Sequence, residues 1–188
     1  KFFEIDIRDF DKINEVMRGT DGVFHQAALT VVQDSYVKRE EYFEVNVRGT
    51  ENIFRSAKEN KLKVVYASSS SIYGNVSKIP IKEDFARMPI NPYGETKLQT
   101  ELLAEKFWKE GVEIIGLRYF NVYGKGQNKA YAGVITKFLE KIRNKEDLEI
   151  FGEGTQVRDF IFVEDVAKAN ISAMISKVKN GFFNVGTG

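Results

Sequence analysis

Residues 63–74 read KVVYASSSSIYG, and residues 91–97 read NPYGETK. The first stretch is a β-rich run, Lys63–Ala67, that breaks into four serines and a glycine. The second is a helix start, with Asn91 as N-cap and Pro92 at the first helical position, where its missing N–H costs nothing. A strand, a loop carrying two of the three prolines (Asn75–Pro89), then a helix is one half of a βαβ unit.

The same alternation continues on both sides. Upstream, Phe2–Ile7 predicts a strand, Asp11–Met17 a short helix stopped by Gly19 and Gly22, Gly22–Ala27 a second strand, and Glu41–Glu59 a helix with an apolar face of Phe43, Val47, Ile53, Phe54 and Ala57. Downstream, the Pro92 helix runs to Glu110 and stops at Gly111. Glu113–Leu117 predicts a strand, Gly133–Lys145 a helix, Leu148–Phe151 a short strand, Phe160–Val163 an extended run, Val166–Lys177 a helix, and Phe182, Phe183 and Val185 a buried strand. The expected fold is therefore α/β: a Rossmann-like, doubly wound parallel sheet, incomplete, with part of a smaller substrate-binding region. Residues 1–124 would form a partial dinucleotide-binding domain lacking its first βαβ unit. Residues 125–188 would form a partial substrate-binding region interleaved with the last sheet elements. Both ends read as if they lay inside a sheet, so the expectation is a piece of a longer chain.

Composition narrows the chemistry. The 188 residues hold 28 Lys+Arg against 27 Asp+Glu, a formal charge of +1, which gives no general attraction to nucleic acid or to an anionic membrane. No apolar run approaches the ~18–20 residues of a membrane span, and the charged start is no signal peptide. With no cysteine, thiolate nucleophiles, zinc–sulfur sites and disulfides are excluded. The single histidine, His25, excludes multi-histidine metal sites and reads as strand-end packing rather than a catalyst. Tyr, Lys, Ser, Asn and carboxylates remain, with a borrowed cofactor.

Tyr93 and Lys97, four apart on a helix, lie on one face one turn apart. A phenol is a poor base at neutral pH, and an adjacent ammonium lowers its pKa by stabilising the phenolate. A surface tyrosine beside a solvated lysine would have the same spacing. The serines 68–71 end a strand at the edge where such sheets bind ligands, although a serine run is also an ordinary loop.

As a set, these motifs resemble the nucleotide-sugar epimerase/dehydratase branch of the extended short-chain dehydrogenase/reductases, most closely its UDP-glucose 4-epimerase-like members. The resemblance rests on Asp6-Ile-Arg-Asp9, His25-Gln-Ala-Ala28, Asn46-Val-Arg-Gly-Thr50, Ala67-Ser-Ser-Ser-Ser-Ile-Tyr-Gly74, Asn91-Pro-Tyr-Gly-Glu-Thr-Lys97, Arg118-Tyr-Phe-Asn-Val-Tyr-Gly124, Arg158-Asp-Phe-Ile-Phe-Val-Glu-Asp165 and Phe183-Asn-Val-Gly186, in family order.

The resemblance implies a role for each residue. Tyr93 would be the acid/base, and Lys97 would hold the nicotinamide ribose and depress the Tyr93 pKa. Ser69 would hydrogen-bond the reacting sugar hydroxyl, with Ser70 and Ser71 as lesser candidates. Asp6 and Ile7 would grip the adenine end of NAD; Ala27, Ala28 and Leu29 would wall its pyrophosphate and ribose. Asn46 would support the active-site helix, and Tyr119 would line the nicotinamide end. On the substrate side, Asn121 and Arg158 would meet the diphosphate of a UDP-sugar, and Glu149 and Phe151 the uracil. Plainer readings exist: Phe151 as core, Arg158 paired with Asp159 or Glu164, Asn46 capping a turn.

The implied reaction inverts C4 of a UDP-sugar of the glucose/galactose type by transient oxidation to a 4-keto sugar, with NAD tightly held and returned unchanged. A cytoplasmic homodimer, joined through the helices at Glu41–Glu59 and Pro92–Glu110, is implied as well. Alternatives on the same scaffold are a dehydratase or decarboxylase, or a 4-epimerase for UDP-GlcNAc or UDP-glucuronate. Family dehydratases would carry Thr-Asp-Glu where Ser69-Ser70-Ser71 stands. A non-catalytic dinucleotide-binding protein would be expected to lose Tyr93 or Lys97. The family's Gly-x-x-Gly-x-x-Gly loop is missing ahead of the first predicted strand.

Overall fold

A computed structural model describes residues 1–127, 133–150 and 152–188. Along the chain run α1 (Phe10–Met17), β1 (Gly22–His25), α2 (Val32–Val37) and α3 (Arg39–Tyr42), then a π-helical segment, Phe43–Arg48, that leads without a break into α4 (Gly49–Asn60). β2 (Lys63–Ser69) passes through a 3₁₀ turn, Ser70–Tyr73, and the long loop precedes α5 (Pro92–Lys109). β3 (Ile114–Tyr119), β4 (Asn121–Tyr123), α6 (Val134–Asn144), β5 (Phe160–Phe162), α7 (Val163–Ile175) and β6 (Gly181–Val185) complete it.

β1, β2, β3 and β6 form one sheet in that order, parallel throughout. Alternation along β2 sends its side chains to two separate cores. Val64 and Tyr66 join Ile13, Ile53, Phe54, Ala104 and Phe107 under α1, α4 and α5, where Phe54 meets Tyr66 edge-on at 5.3 Å. Val65 joins Ile115, Leu117, Ile161, Val166 and Val185 under α7. Helices on both faces of a parallel sheet are the doubly wound arrangement expected from the alternating pattern. β4 and β5 make a separate two-stranded parallel sheet beyond the C-terminal edge of β3. Among the described residues no helix is long and apolar enough to cross a membrane.

Three local expectations are corrected. Phe2–Ile7 is irregular: a strand exists through its ladder, and no described strand pairs with it, β1 being bonded to β2 alone. Its Ile5 and Ile7 still pack on the first core, while Phe2 is exposed. Residues 148–150 are likewise unpaired and exposed, and Phe151, the end of that expected strand, lies outside the described residues. The helix expected over Glu41–Glu59 begins earlier, at Arg39, and is interrupted by the π-helical turn. The short helix α2 and strand β4 had no periodicity long enough to announce them.

Candidate active site

The site lies at the C-terminal edge of the sheet, where β2 hands over to the serines. Two of the four serines continue the strand and two begin the 3₁₀ turn; Ser69 closes the junction by accepting a hydrogen bond from the Ser71 amide at 3.2 Å. α5 starts as its sequence predicts, with Asn91 Oδ1 accepting from the Gly94 amide at 2.8 Å. Gly94 permits the close approach: a Cβ there would sit 2.9 Å from the Ser71 carbonyl oxygen and 3.0 Å from Pro89 Cβ. The first turn of α5 is thereby pressed against the serine run, which brings Ser69, Tyr93 and Lys97 together.

Within that group, the Ser69 hydroxyl lies near the Tyr93 phenol. The Lys97 ammonium donates to the Ala67 carbonyl at 2.9 Å and lies 5.9 Å from the centroid of the Tyr93 ring. Burial pushes the Tyr93 pKa above its ordinary value, and the nearby Ser69 hydroxyl works against that rise. The expected depression of Tyr93 by Lys97 does not offset the effect of burial, the ammonium being engaged by the Ala67 carbonyl. Burial also lowers Lys97 itself, to about 8. His25 is buried, shares a 2.9 Å hydrogen bond with Thr50 Oγ1, and is held down to about 3 by burial and then by the Lys97 charge. It is a neutral packing residue.

Ala27, Ala28 and Leu29 follow the end of β1. Behind them, Asn46 from the π-helical segment is buried: its Oδ1 accepts from the Leu29 amide at 2.7 Å, and its Nδ2 donates to the Leu29 carbonyl at 2.9 Å and to Thr96 Oγ1 at 3.1 Å. One side chain thus ties the post-β1 loop to α5. All three bonds go to protein, so Asn46 stands behind the wall and not at its face. π-Turns recur where a functional site needs a side chain displaced from regular helix register. A cleft of about 170 Å³ beside the loop is lined by Ala28, Leu29, Asp34, Lys38 and Tyr42 among others. Tyr119, at the end of β3, hydrogen-bonds Gln26 and Asn170 at 3.1 and 3.0 Å, bridging β1 to α7.

Other expected residues lie apart from this group. Asp6 is exposed and held by Arg8 in a fork of 3.0 and 2.6 Å, beside the half-buried Ile7. Asn121 is exposed and donates to the Asp159 carbonyl at 2.8 Å. Arg158 bonds the carbonyl of its neighbour Val157, not Asp159 or Glu164, and Glu149 is exposed near Lys141 at 3.7 Å. Ser70 is half-buried in the turn, and the hydroxyl of Ser71 is enclosed with no hydrogen-bond partner among the described residues. Phe151 lies outside them. Sequence reading missed Ser35, whose hydroxyl accepts from the Tyr93 amide at 3.2 Å, and the buried Glu101. Glu101 was findable, standing four residues beyond Lys97 on the same helix face.

The sequence profile of the NAD dependent epimerase/dehydratase family matches residues 1–186. The chain belongs to that family. Relatives include a putative UDP-glucose 4-epimerase of Methanocaldococcus jannaschii, 39% identical over 100% of this chain and 63% of its own length. A UDP-N-acetyl-alpha-D-glucosaminuronate decarboxylase of Bacillus cytotoxicus is 35% identical over 97% of this chain and 59% of its own. Among solved structures, a UDP-N-acetylglucosamine 4-epimerase from Methanobrevibacter ruminantium, in complex with UDP-N-acetylmuramic acid, superposes with a TM-score of 0.93 at 38% identity, covering 99% of this chain and 61% of that one. The chain spans about three-fifths of the length of these family members.

The residues fit one end of the family's cofactor. A buried ammonium with a single hydrogen bond among the described residues retains donors for ribose hydroxyls, and two alanines just beyond β1 leave room for a close approach. No Gly-x-x-Gly-x-x-Gly phosphate loop occurs in the 188 residues, so the fit concerns the nicotinamide-ribose half.

Proposed function

We propose that this chain carries the proton-transfer site of an NAD-dependent UDP-sugar 4-epimerase. The observation that carries the reading is the convergence of Ser69, Tyr93 and Lys97 at the C-terminal edge of the sheet, in a member of the family. NAD, when bound, supplies a reversible hydride acceptor. Tyr93 takes the proton of the sugar hydroxyl as it is oxidised and returns one when the carbonyl is reduced. Ser69 shares the same hydroxyl and orients it. Lys97 holds the nicotinamide ribose, and its positive charge favours the phenolate once the ribose draws it off the Ala67 carbonyl. Ala27, Ala28 and Leu29 form the wall, Tyr119 the nicotinamide end, and Asp6 and Ile7 the adenine end. Asn121, Arg158, Glu149 and Phe151 are proposed for the nucleotide diphosphate and uracil, and Ser70 and Ser71 for the sugar. Serines at 69–71, without a carboxylate, favour epimerisation over dehydration. Exposed Phe43 and Leu102 support a homodimer through these helices.

The test is proton NMR of UDP-galactose with the whole protein and no added NAD. Conversion to UDP-glucose is expected, and Tyr93→Phe should abolish it, by about a thousandfold or more, while NAD stays bound. A Y93F protein that still turns substrate over refutes the reading. A decarboxylated product would place the protein with its decarboxylase relative instead.

A further inference from the structure

The buried carboxylate of Glu101 takes no direct part in the proposed proton transfer, yet it accepts four hydrogen bonds. It accepts from Ser68 Oγ at 2.6 Å, from Arg118 Nε at 2.9 Å on one oxygen, and from the Arg118 terminal nitrogen at 2.9 Å and Arg87 at 3.1 Å on the other. Glu101 is fully buried and Arg118 nearly so. Arg118 in turn donates to the Tyr73 phenol at 2.6 Å and to the Glu83 carbonyl at 2.9 Å. Burying an ion pair rarely adds net stability, because desolvation offsets the attraction; retention of such a pair calls for another reason.

Its position supplies one. Tyr93, Lys97 and Glu101 are spaced by four along α5, so they form one stripe. Two of the three bond consecutive residues at the end of β2, Lys97 the Ala67 carbonyl and Glu101 the Ser68 hydroxyl, and the next residue, Ser69, lies near the Tyr93 phenol. We infer that Glu101 is a positioning residue: through Ser68 it locks the end of β2 in register with α5, and so sets the Ser69 hydroxyl against the Tyr93 phenol. Arg118, directly paired with Ser68 across the sheet, fixes the carboxylate from the other side. The length of the lever is one residue. A shift of a few tenths of an ångström at Ser68 passes to Ser69 through a single peptide, and proton transfer is sensitive to displacements of that size. This inference rests on the proposed function for its consequence, though not for the geometry.

The experiment is Ser68→Ala in the whole protein, which removes one hydroxyl and leaves the Glu101–Arg118 pair intact. The Tyr93 titration is read by NMR of ring-labelled tyrosine, with Y93F giving the assignment. The expected result is an upward shift of the Tyr93 titration as its Ser69 partner loosens, with kcat lower by about tenfold and KM for the UDP-sugar unchanged. A Tyr93 that titrates as in the wild type overturns the inference whatever the rate does. If S68A does not fold, Glu101→Gln, which keeps the shape of the side chain, is read the same way. Should the wild type turn over no UDP-sugar, the functional reading fails while the titration still decides this one.

Discussion

Asn46 offers the sharpest test of how the site is held. Replacing it with leucine keeps the number and branching of the side-chain heavy atoms and removes three hydrogen bonds, two of them to the Leu29 amide and carbonyl. At about 1 kcal/mol net for each bond, with the part-buried Leu29 backbone groups losing their partner, N46L should cost about 3 kcal/mol. For an m-value of about 2–3 kcal/mol/M in urea, the unfolding midpoint of the whole protein should fall by about 1–1.5 M with the slope unchanged. Asn46→Asp adds a sign to the magnitude. It keeps an acceptor for the Leu29 amide but sets a second oxygen against the Leu29 carbonyl, so the buried carboxyl is driven to stay protonated. A carboxyl raised in the folded state stabilises below its unfolded pKa near 4, and that contribution fades as pH climbs toward and past the folded value. N46D should therefore be closer to wild type at pH 4 than at pH 7. A loss below about 1 kcal/mol for N46L, or a pH-independent N46D, would refute the claim that this side chain joins the post-β1 loop to α5.

Lys97→Met should stabilise the fold by about 2 kcal/mol at pH 7 while abolishing turnover, because a buried ammonium lowered from 10.5 to about 8 is a net cost in the folded state. That cost is full below pH 8 and gone above about 10.5, so the advantage in thermal melts should vanish in the same window. His25, depressed from 6.5 to about 3, stabilises above its unfolded pKa and loses this contribution as pH falls toward 3. Relative to His25→Asn, the wild type should lose about 2 kcal/mol between pH 7 and pH 5, measured by urea unfolding at both; equal slopes would contradict a buried neutral imidazole. Gly94→Ala would ordinarily strengthen a helix, yet here the added methyl meets the Ser71 carbonyl and Pro89. A loss of about 1–2 kcal/mol by calorimetry is expected, and a stabilised G94A would rule out the close approach.

Much of this architecture was legible in one dimension. Val64, Val65 and Tyr66 ahead of the serines, and the Asn91-Pro92 start ahead of Tyr93 and Lys97, specify their elements locally. Capping, proline geometry and β-branching act within a few residues and need no partner, so sequence suffices for them. The Tyr93–Lys97 pairing was legible for the same reason, being set by helical period alone. Phe2–Ile7 and residues 148–150 carry the same apolar cues and form no strand, since pairing is a property of the neighbour and not of the segment. The pKa order at the site was hidden as well. The sequence suggests a lysine that lowers Tyr93; the folded chain buries Lys97, half-buries Tyr93 and turns the ammonium toward Ala67. Asn46 under Leu29, Ser35 against the Tyr93 amide, and Glu101 with Arg118 behind Ser68 are meetings of residues 17 to 58 positions apart. The chain alone pointed to the candidate side chains and to the elements on which they stand. Only packing decided their charges, their partners and their distances, because burial and hydrogen bonding are set by what the fold brings alongside.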